Sequence, residues 1–319
     1  MGSPVLETVL NATLQRSRKK LLFAAVKSNA FYAYAMSKDM VEYEDGGKDI
    51  TNPIITGRNP NVTAYSYYDE LPVQQSNEFD TVKYGWSRVA GTVIISDQEQ
   101  DENKGSTEIF KLIKGKMETL EETISEQFST WLYGTGANKD PNGLALLVPD
   151  TPNSGTVGGI DRSTNDWWRT MAVDYSGSLT INNIQEALDD VLLDMKQGKN
   201  GKPDLILCGK NFYRLYRNAV RNKVSILADG NLNAQKMYDL GFDGVAFGGV
   251  TMIYDEACPA DKAYVLNTTY LRMHVLKHAN MKVKELVAPW NTDAIGRRII
   301  WQGQMCLWKA NRTQAVIKM

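Results

Sequence analysis

The sequence predicts an α+β protein, and three stretches carry that expectation. From Ile109 to Trp131, apolar residues recur at helical spacing along one stripe. Residues 49–96 are rich in Thr, Val, Ile and Tyr and are punctuated by Gly57, Pro60 and Pro72, a composition of extended chain. Residues 137–270 alternate short helical and strand-like patterns, and 270–276, 298–308 and 313–319 read as strands again. No internal repeat or low-complexity tract interrupts the 319 residues, a length that allows one large domain or two smaller ones with a sizeable core.

In chain order, residues 1–45 read as helical in pieces. Leu6, Val9, Leu10 and Thr13 recur at helical spacing, 21–36 is rich in Ala and aromatics, and Asp45-Gly46-Gly47 breaks the pattern. The best strands of the next stretch are 62–68 and 82–96. In the second, alternation puts Tyr84, Trp86, Arg88 and Ala90 on one face and Lys83, Gly85, Ser87 and Val89 on the other. So few consecutive apolar residues cannot form a core, so this stretch is expected to project as a long β-hairpin whose aromatic and β-branched face needs a partner.

Ile109, Ile113, Met117, Leu120, Ile124, Phe128 and Trp131 then give a single stripe over about seven turns, or about 40 Å of helix, suited to lying across a sheet. Ser106 can cap it, Asp101, Glu102 and Glu108 suit its positive end, and Gly134 and Gly136 stop it. Residues 182–197 are amphipathic through Ile184, Leu188, Val191, Leu192 and Met195, with Gly198 ending the helix. Pro203-Asp204 leads into a short buried strand at 205–208. A helix with Phe212, Leu215, Tyr216 and Val220 follows, then strands at 250–254 and 263–266.

The 36 basic and 37 acidic residues nearly cancel, which gives no reason to expect tight nucleic-acid binding. Charge is unevenly placed. Residues 1–40 carry Arg16, Arg18, Lys19, Lys20, Lys27 and Lys38 against Glu7 and Asp39, and residues 272–319 carry nine Lys or Arg against Glu285 and Asp293. Basic ends and an acidic middle either bind an outside polyanion, let one copy's ends meet another copy's middle, or lie scattered on solvated faces. Cys208, Cys258 and Cys306 are odd in number, widely spaced and outside any metal-binding spacing, so neither a disulfide framework nor a zinc site is indicated and a reducing compartment fits. No secretory signal, myristoylation start or membrane-length apolar run is found, so a cytosolic product without a membrane partner is expected.

Catalytic motifs are absent from the sequence. His274 and His278 are four residues apart, but His274 belongs to an alternating segment with Leu271, Met273 and Val275. The pair would stand about 13 Å apart along a strand, so both are read as surface histidines rather than metal ligands. No Gly-x-Ser-x-Gly, His-Glu-x-x-His or phosphate-loop pattern occurs. Gly134-Thr135-Gly136 follows a helix instead of opening one, which makes it a C-terminal turn. Asp97, Glu99, Asp101 and Glu102 lack the central Gly and closing Glu of a calcium loop and read as an acidic lead-in to the long helix. No catalytic residue, cofactor or metal is therefore assigned, although an enzyme built on paired carboxylates stays open because such chemistry leaves little trace.

One segment is far more specific. Gly143-Leu144-Ala145-Leu146-Leu147-Val148 is followed by Gly155-Thr156-Val157-Gly158-Gly159-Ile160-Asp161-Arg162-Ser163-Thr164-Asn165-Asp166-Trp167-Trp168-Arg169. This closely resembles a signature of tailed-bacteriophage major capsid proteins with the Hong Kong 97-type fold. Cys208-Gly209-Lys210-Asn211-Phe212-Tyr213, Tyr264-Val265-Leu266-Asn267-Thr268 and the closing strands resemble the family in the same order, so the likeness spans about the whole chain. It implies an N-terminal arm at 1–45, an extended loop at 46–98 lying over a neighbouring subunit, a peripheral domain of 99–137 and 267–319 carrying a spine helix, and an axial domain at 138–266.

The resemblance further implies a non-enzymatic protein that self-assembles as hexamers and pentamers into an icosahedral virion shell, made in the bacterial host cytoplasm. Its implied partners are itself, a scaffolding protein, a portal protein, a candidate decoration protein, and packaged double-stranded DNA held without sequence-specific binding. Within the signature, Gly158 and Gly159 allow a tight turn, Asp161 and Arg162 can pair, and Trp167 and Trp168 can anchor a loop by burial. Together with Tyr84, Trp86 and Arg88 of the hairpin, these are the candidate assembly and loop-ordering residues. Some relatives weld subunits through a Lys–Asn isopeptide bond; Lys83 and Asn291 are the weak candidates here, and an unmodified exposed lysine is the default. The chain departs from relatives with a long N-terminal scaffolding extension, which implies a separate scaffold or an extension outside this sequence. An encapsulin-like nanocompartment is the alternative within the same fold.

Overall fold

The computed structural model describes residues 29–57, 59–75, 78–102, 106–195, 201–221, 244–285 and 294–319. The helical pieces and basic run expected within 1–28, the candidate Asn291, and the helix end at Gly198 lie outside the described residues. So do the side chains of Ser106, Ile109 and Ile113.

Helix α1 (Ala30–Ser37) opens on Asn29, whose side chain accepts hydrogen bonds from the amides of Phe31 and Tyr32 and so satisfies two donors of the first turn. The helix buries Phe31 and Tyr34 in the central core and leads to strand β1 (Val41–Glu44), which pairs in parallel with β12 (Leu271–Leu276). Residues 29–44, within the stretch 1–45 expected as an N-terminal arm, are built into the body of the subunit.

Strands β2 (Asp49–Ile55) and β3 (Phe79–Gly85) form an antiparallel hairpin from Asp49 opposite Gly85 to Ile55 opposite Phe79. The expected strand at 62–68 is not formed. With no neighbouring strand to receive its backbone hydrogen bonds and Pro60 and Pro72 beside it, the tip is irregular and exposed. The expected single strand 82–96 is also two. Chain direction breaks at Trp86, and β4 (Ser87–Ser96) leaves the hairpin to pair with β14 (Ala294–Leu307). Even-numbered Val82 and Tyr84 face inward before the break, while odd-numbered Ser87, Val93 and Ile95 do so after it, so the face assignment read across 82–90 reverses.

Strand β14 is the spine of a five-stranded sheet. One edge carries β12 and then β13 (Lys282–Glu285), and the other carries β4. Ser96 and Glu99 cap each other reciprocally at the start of a short helix α2 (Asp97–Glu102), and Glu99 also meets Lys116 at 2.6 Å. The Lys116 contact, ahead of the Ser96 hydrogen bond, lowers the Glu99 carboxyl pKa. The long helix α3 (Ser106–Leu132) crosses the sheet as its stripe predicts. Met117, Ile124 and Phe128 are buried against Val93, Ile95, Ile299 and Trp301, with the Phe128 and Trp301 rings edge to face at 4.9 Å.

The next stretch holds a single-turn helix α4 (Leu144–Leu147) and the β5 (Thr156–Val157)–β6 (Ile160–Asp161) hairpin. A second sheet has six strands in the order β7 (Met171–Asp174), β15 (Ala315–Lys318), β11 (Lys262–Leu266), β8 (Leu205–Cys208), β10 (Val250–Tyr254) and β9 (Gly244–Phe247). Helices α5 (Ile184–Met195) and α6 (Lys210–Arg221) cover one face through Ile206, Cys208, Val265 and Ile317. Leu205, Leu207, Tyr264 and Val316 on the other face join the central core with α1 and the hairpin root. Strand β15, within the stretch 267–319 expected in the peripheral domain, lies in this six-stranded sheet. Buried Gln314 exchanges two hydrogen bonds with Asn267 and so seats the chain beside β11.

Gly91 lets α3 lie against β4, because a Cβ there would stand 2.8 Å from Leu120 Cδ1 and 3.0 Å from Ile124 Cδ1. Gly91→Val is expected to destabilise the dispersed subunit by about 1–3 kcal/mol in urea unfolding through overpacking. Ala90→Val, on the exposed face, should change it by less than about 0.5 kcal/mol; equal effects would contradict the assigned faces.

Candidate loop-ordering site

The β5–β6 turn is the centre of the site. Gly158 and Gly159 have φ +63° and +82°, two successive left-handed residues that glycine adopts without a Cβ penalty. The turn lies on the hairpin root: the Lys83 amide donates to the Gly158 carbonyl at 2.9 Å, and a Cβ on Gly158 would overlap Val82 Cγ1. Gly159 faces open space.

Arg162 is among the largest fully buried side chains and forms no ion pair with a carboxylate among the described residues. Its guanidinium donates to the carbonyls of Leu146 at 3.2 Å and Leu147 at 2.6 Å, the last residues of α4, whose negative dipole end suits a cation. Its Nε has no hydrogen-bond partner. Burial pushes its pKa down to about 10, with the nearby Tyr84 phenol acting the other way. The expected Asp161–Arg162 pair does not form, because successive strand residues point to opposite faces. Asp161 is exposed and accepts from the Ser163 amide and hydroxyl, both at 2.8 Å, which hold its carboxyl below the usual range.

Trp168 is buried and donates from Nε1 to the Val157 carbonyl at 2.9 Å, while half-buried Trp167 leans on it at 5.9 Å between ring centres. Tyr84 is buried beside the turn. Its hydroxyl donates to the Leu307 carbonyl at 3.0 Å and accepts from the Leu307 amide at 3.3 Å, and its ring meets Trp308 edge-on. Burial is the main reason that its phenol pKa is raised.

Gly158, Arg162, Trp167, Trp168 and Tyr84 are thus gathered around one junction. Trp86 stands apart, half-buried and donating to the Gly47 carbonyl at 3.0 Å, and Arg88 is exposed on β4 opposite Gln302. Lys83 is exposed. Arg169 was not singled out from the sequence, yet it closes the loop through the carbonyls of Arg162 and Ser163, both at 2.7 Å, and an ion pair with Asp166 at 2.6 Å.

His274 lies on β12 and His278 in the short helical turn that follows it, and only His278 is on the surface. His274 is buried beside Glu42 and Glu44, the one group of three potential metal ligands among the described residues. Free Cys208, Cys258 and Cys306 are all buried, and burial raises the pKa of each thiol. No described helix is long and apolar enough to cross a membrane.

The chain matches no protein-family profile and no curated protein sequence. It is similar in structure to the capsid subunit of cyanophage A-1(L), with a TM-score of 0.64 and 14% identity, over 88% of this chain and 90% of that one. A native GTA particle capsid gives 0.57 and 11% over 90% of both chains, and the capsid of Myoviridae phage XM1 gives 0.56 and 9% over 89% and 91%. The fold is that of these capsid subunits, the Hong Kong 97 type that the signature implied.

Gly158→Ala forces both a strained φ and a clash with Val82, and is expected to lower the stability of the dispersed subunit by about 2–4 kcal/mol. Gly159→Ala carries the strain alone and should cost about 1–2 kcal/mol. Denaturant midpoints separate the two, and equal losses would remove the special role of the turn's contact with β3.

Proposed function

We propose that this chain is the major shell subunit of a tailed-bacteriophage head, assembling as hexamers and pentamers into an icosahedral container for double-stranded DNA. The observation that carries this reading is the contrast between the two ends of its hairpin. At the root, Ile50, Ile54, Val82 and Tyr84 are buried within the subunit. At the tip, Tyr67 and Tyr68 are 98% and 100% exposed, and Val62, Tyr65, Leu71 and Val73 are exposed beside them. A fixed root holding out a cluster of apolar side chains suits a docking element, since monomeric proteins seldom leave such a cluster in water.

The fold shared with capsid subunits over about nine-tenths of the chain favours a second copy as the partner. Each subunit would then give one hairpin and receive another, a head-to-tail contact that closes into rings. Burying each tyrosine or leucine contributes about 1.5–3 kcal/mol, and repetition around a closed shell multiplies weak contacts. On this reading 46–85 is the extended loop over a neighbour, α3 with the five-stranded sheet is the peripheral part, and the six-stranded sheet with α5 and α6 is the axial part. Scaffolding, portal and decoration proteins are the further partners, and the virion is the site of action. The near-zero net charge suits a wall that holds DNA without gluing to it.

Replacing Tyr67 and Tyr68 together by Ser leaves the root intact. The variant is expected to fold with an unchanged circular dichroism spectrum but to lose shell assembly by negative-stain electron microscopy and sedimentation. Particles in normal yield would overturn the docking role.

A further inference from the structure

We propose that Glu42, Glu44 and His274 form a binding site for a divalent transition cation. Parallel pairing sets Glu42 on β1 opposite His274 on β12, and Glu44 follows two residues later on the same face. One ligand atom from each of the three lies within 4.8 Å of the others. The histidine side chain is only 4% exposed, whereas those of Glu42 and Glu44 are 44% and 42% exposed and border open water.

The imidazole has one side accounted for and one that is not. Nδ1 stands 3.2 Å from Glu44 Oε1. With a cation at Nε2, Nδ1 would carry the ring proton and donate it to Glu44, because a carboxylate only accepts. Nε2 is buried without a hydrogen-bond partner and faces Glu42 Oε2 at 3.6 Å. That gap is too long for a hydrogen bond and leaves room for a cation between the two atoms. Two ligands bound at about 2.1 Å to one tetrahedral cation stand about 3.4 Å apart, close to the spacing found. Glu44 then orients the ring in the manner of the carboxylate–histidine pairs that support metal ligands.

The surroundings fit the same occupant. An open cleft of about 530 Å³ fronts the group, with Asp49, Asn52 and Thr269 in its lining to hold coordinated water and leave an entry path. Arg272 Nε is 3.7 Å from Glu42 Oε1, but this side chain is tied to the Asp39 carbonyl at 2.9 Å and leaves Glu42 Oε2 to the histidine side. A nitrogen ligand with carboxylates favours zinc, manganese, cobalt or nickel over magnesium or calcium. The bound ion would staple the edge strand β1 to the sheet.

The full chain, freed of metal by chelator and dialysis, is titrated with zinc chloride alone in a calorimeter. One ion per chain is expected, with affinity falling at least tenfold in Glu42→Gln and about 10–100-fold in Glu44→Gln. Cobalt chloride is expected to give visible d–d absorption in the parent chain and none in Glu42→Gln. Because Glu42 is partly exposed, that variant should keep its circular dichroism spectrum and so decides the matter even if a His274 variant fails to fold. No zinc binding, or equal affinity in parent and Glu42→Gln, would overturn the site and leave an imidazolium clamped between two carboxylates.

Discussion

The seating of Gly158 on the hairpin root is the contact on which the rest of the structure depends. Its carbonyl takes the Lys83 amide, and the missing Cβ leaves room for Val82. Trp168 then holds the turn from behind through Val157, and Tyr84 ties the same root to Leu307 at the end of β14. The direction in which the hairpin leaves the body follows from these few bonds. A tip some distance beyond such a root can be positioned only if the root does not rock, which explains why the most specific stretch of sequence lies under the hairpin and not at its tip.

Arg162 shows how the body tolerates a charge at that junction. A buried guanidinium without a carboxylate is costly, and this one is offset by two carbonyls at a helix end, with one nitrogen left unpartnered. The same core receives α1, whose Tyr34 hydroxyl donates to Asp204 just before β8, while Thr268 holds the Asp204 carboxylate from its other side. The two sheets are thus joined by side chains far apart in sequence as well as by the chain that runs from β14 of the five-stranded sheet into β15 of the six-stranded one.

What was legible in the sequence was local. The long helix announces itself because seven apolar residues keep one stripe, and α5 and α6 do so through Leu188, Val191, Phe212 and Tyr216. Long-range pairing was not legible: nothing near Ala315 says that it will lie between β7 and β11. The break at Trp86 was hidden because alternation has the same period on both sides and shifts by only one residue. β-Branched and aromatic residues at 62–68 imitate a strand, but propensity without a partner strand leaves a bare loop. At the site, the glycines and tryptophans were readable as turn and anchor, whereas Arg162 found α4 instead of its neighbour Asp161. His274 is buried on β12 between β1 and β14, and β1 brings Glu42 and Glu44 beside it from the opposite end of the chain.

The hairpin thus has a root whose apolar side chains are buried within the chain and a tip whose apolar side chains are exposed, and the proposed function has a second copy cover that tip. Hydroxyl-radical footprinting of Tyr67 and Tyr68 before and after assembly tests that division most directly. Labelling of both residues should fall several-fold in assembled particles while the buried root residue Tyr84 stays protected in both states. Equal labelling of the tip in free and assembled protein would contradict it.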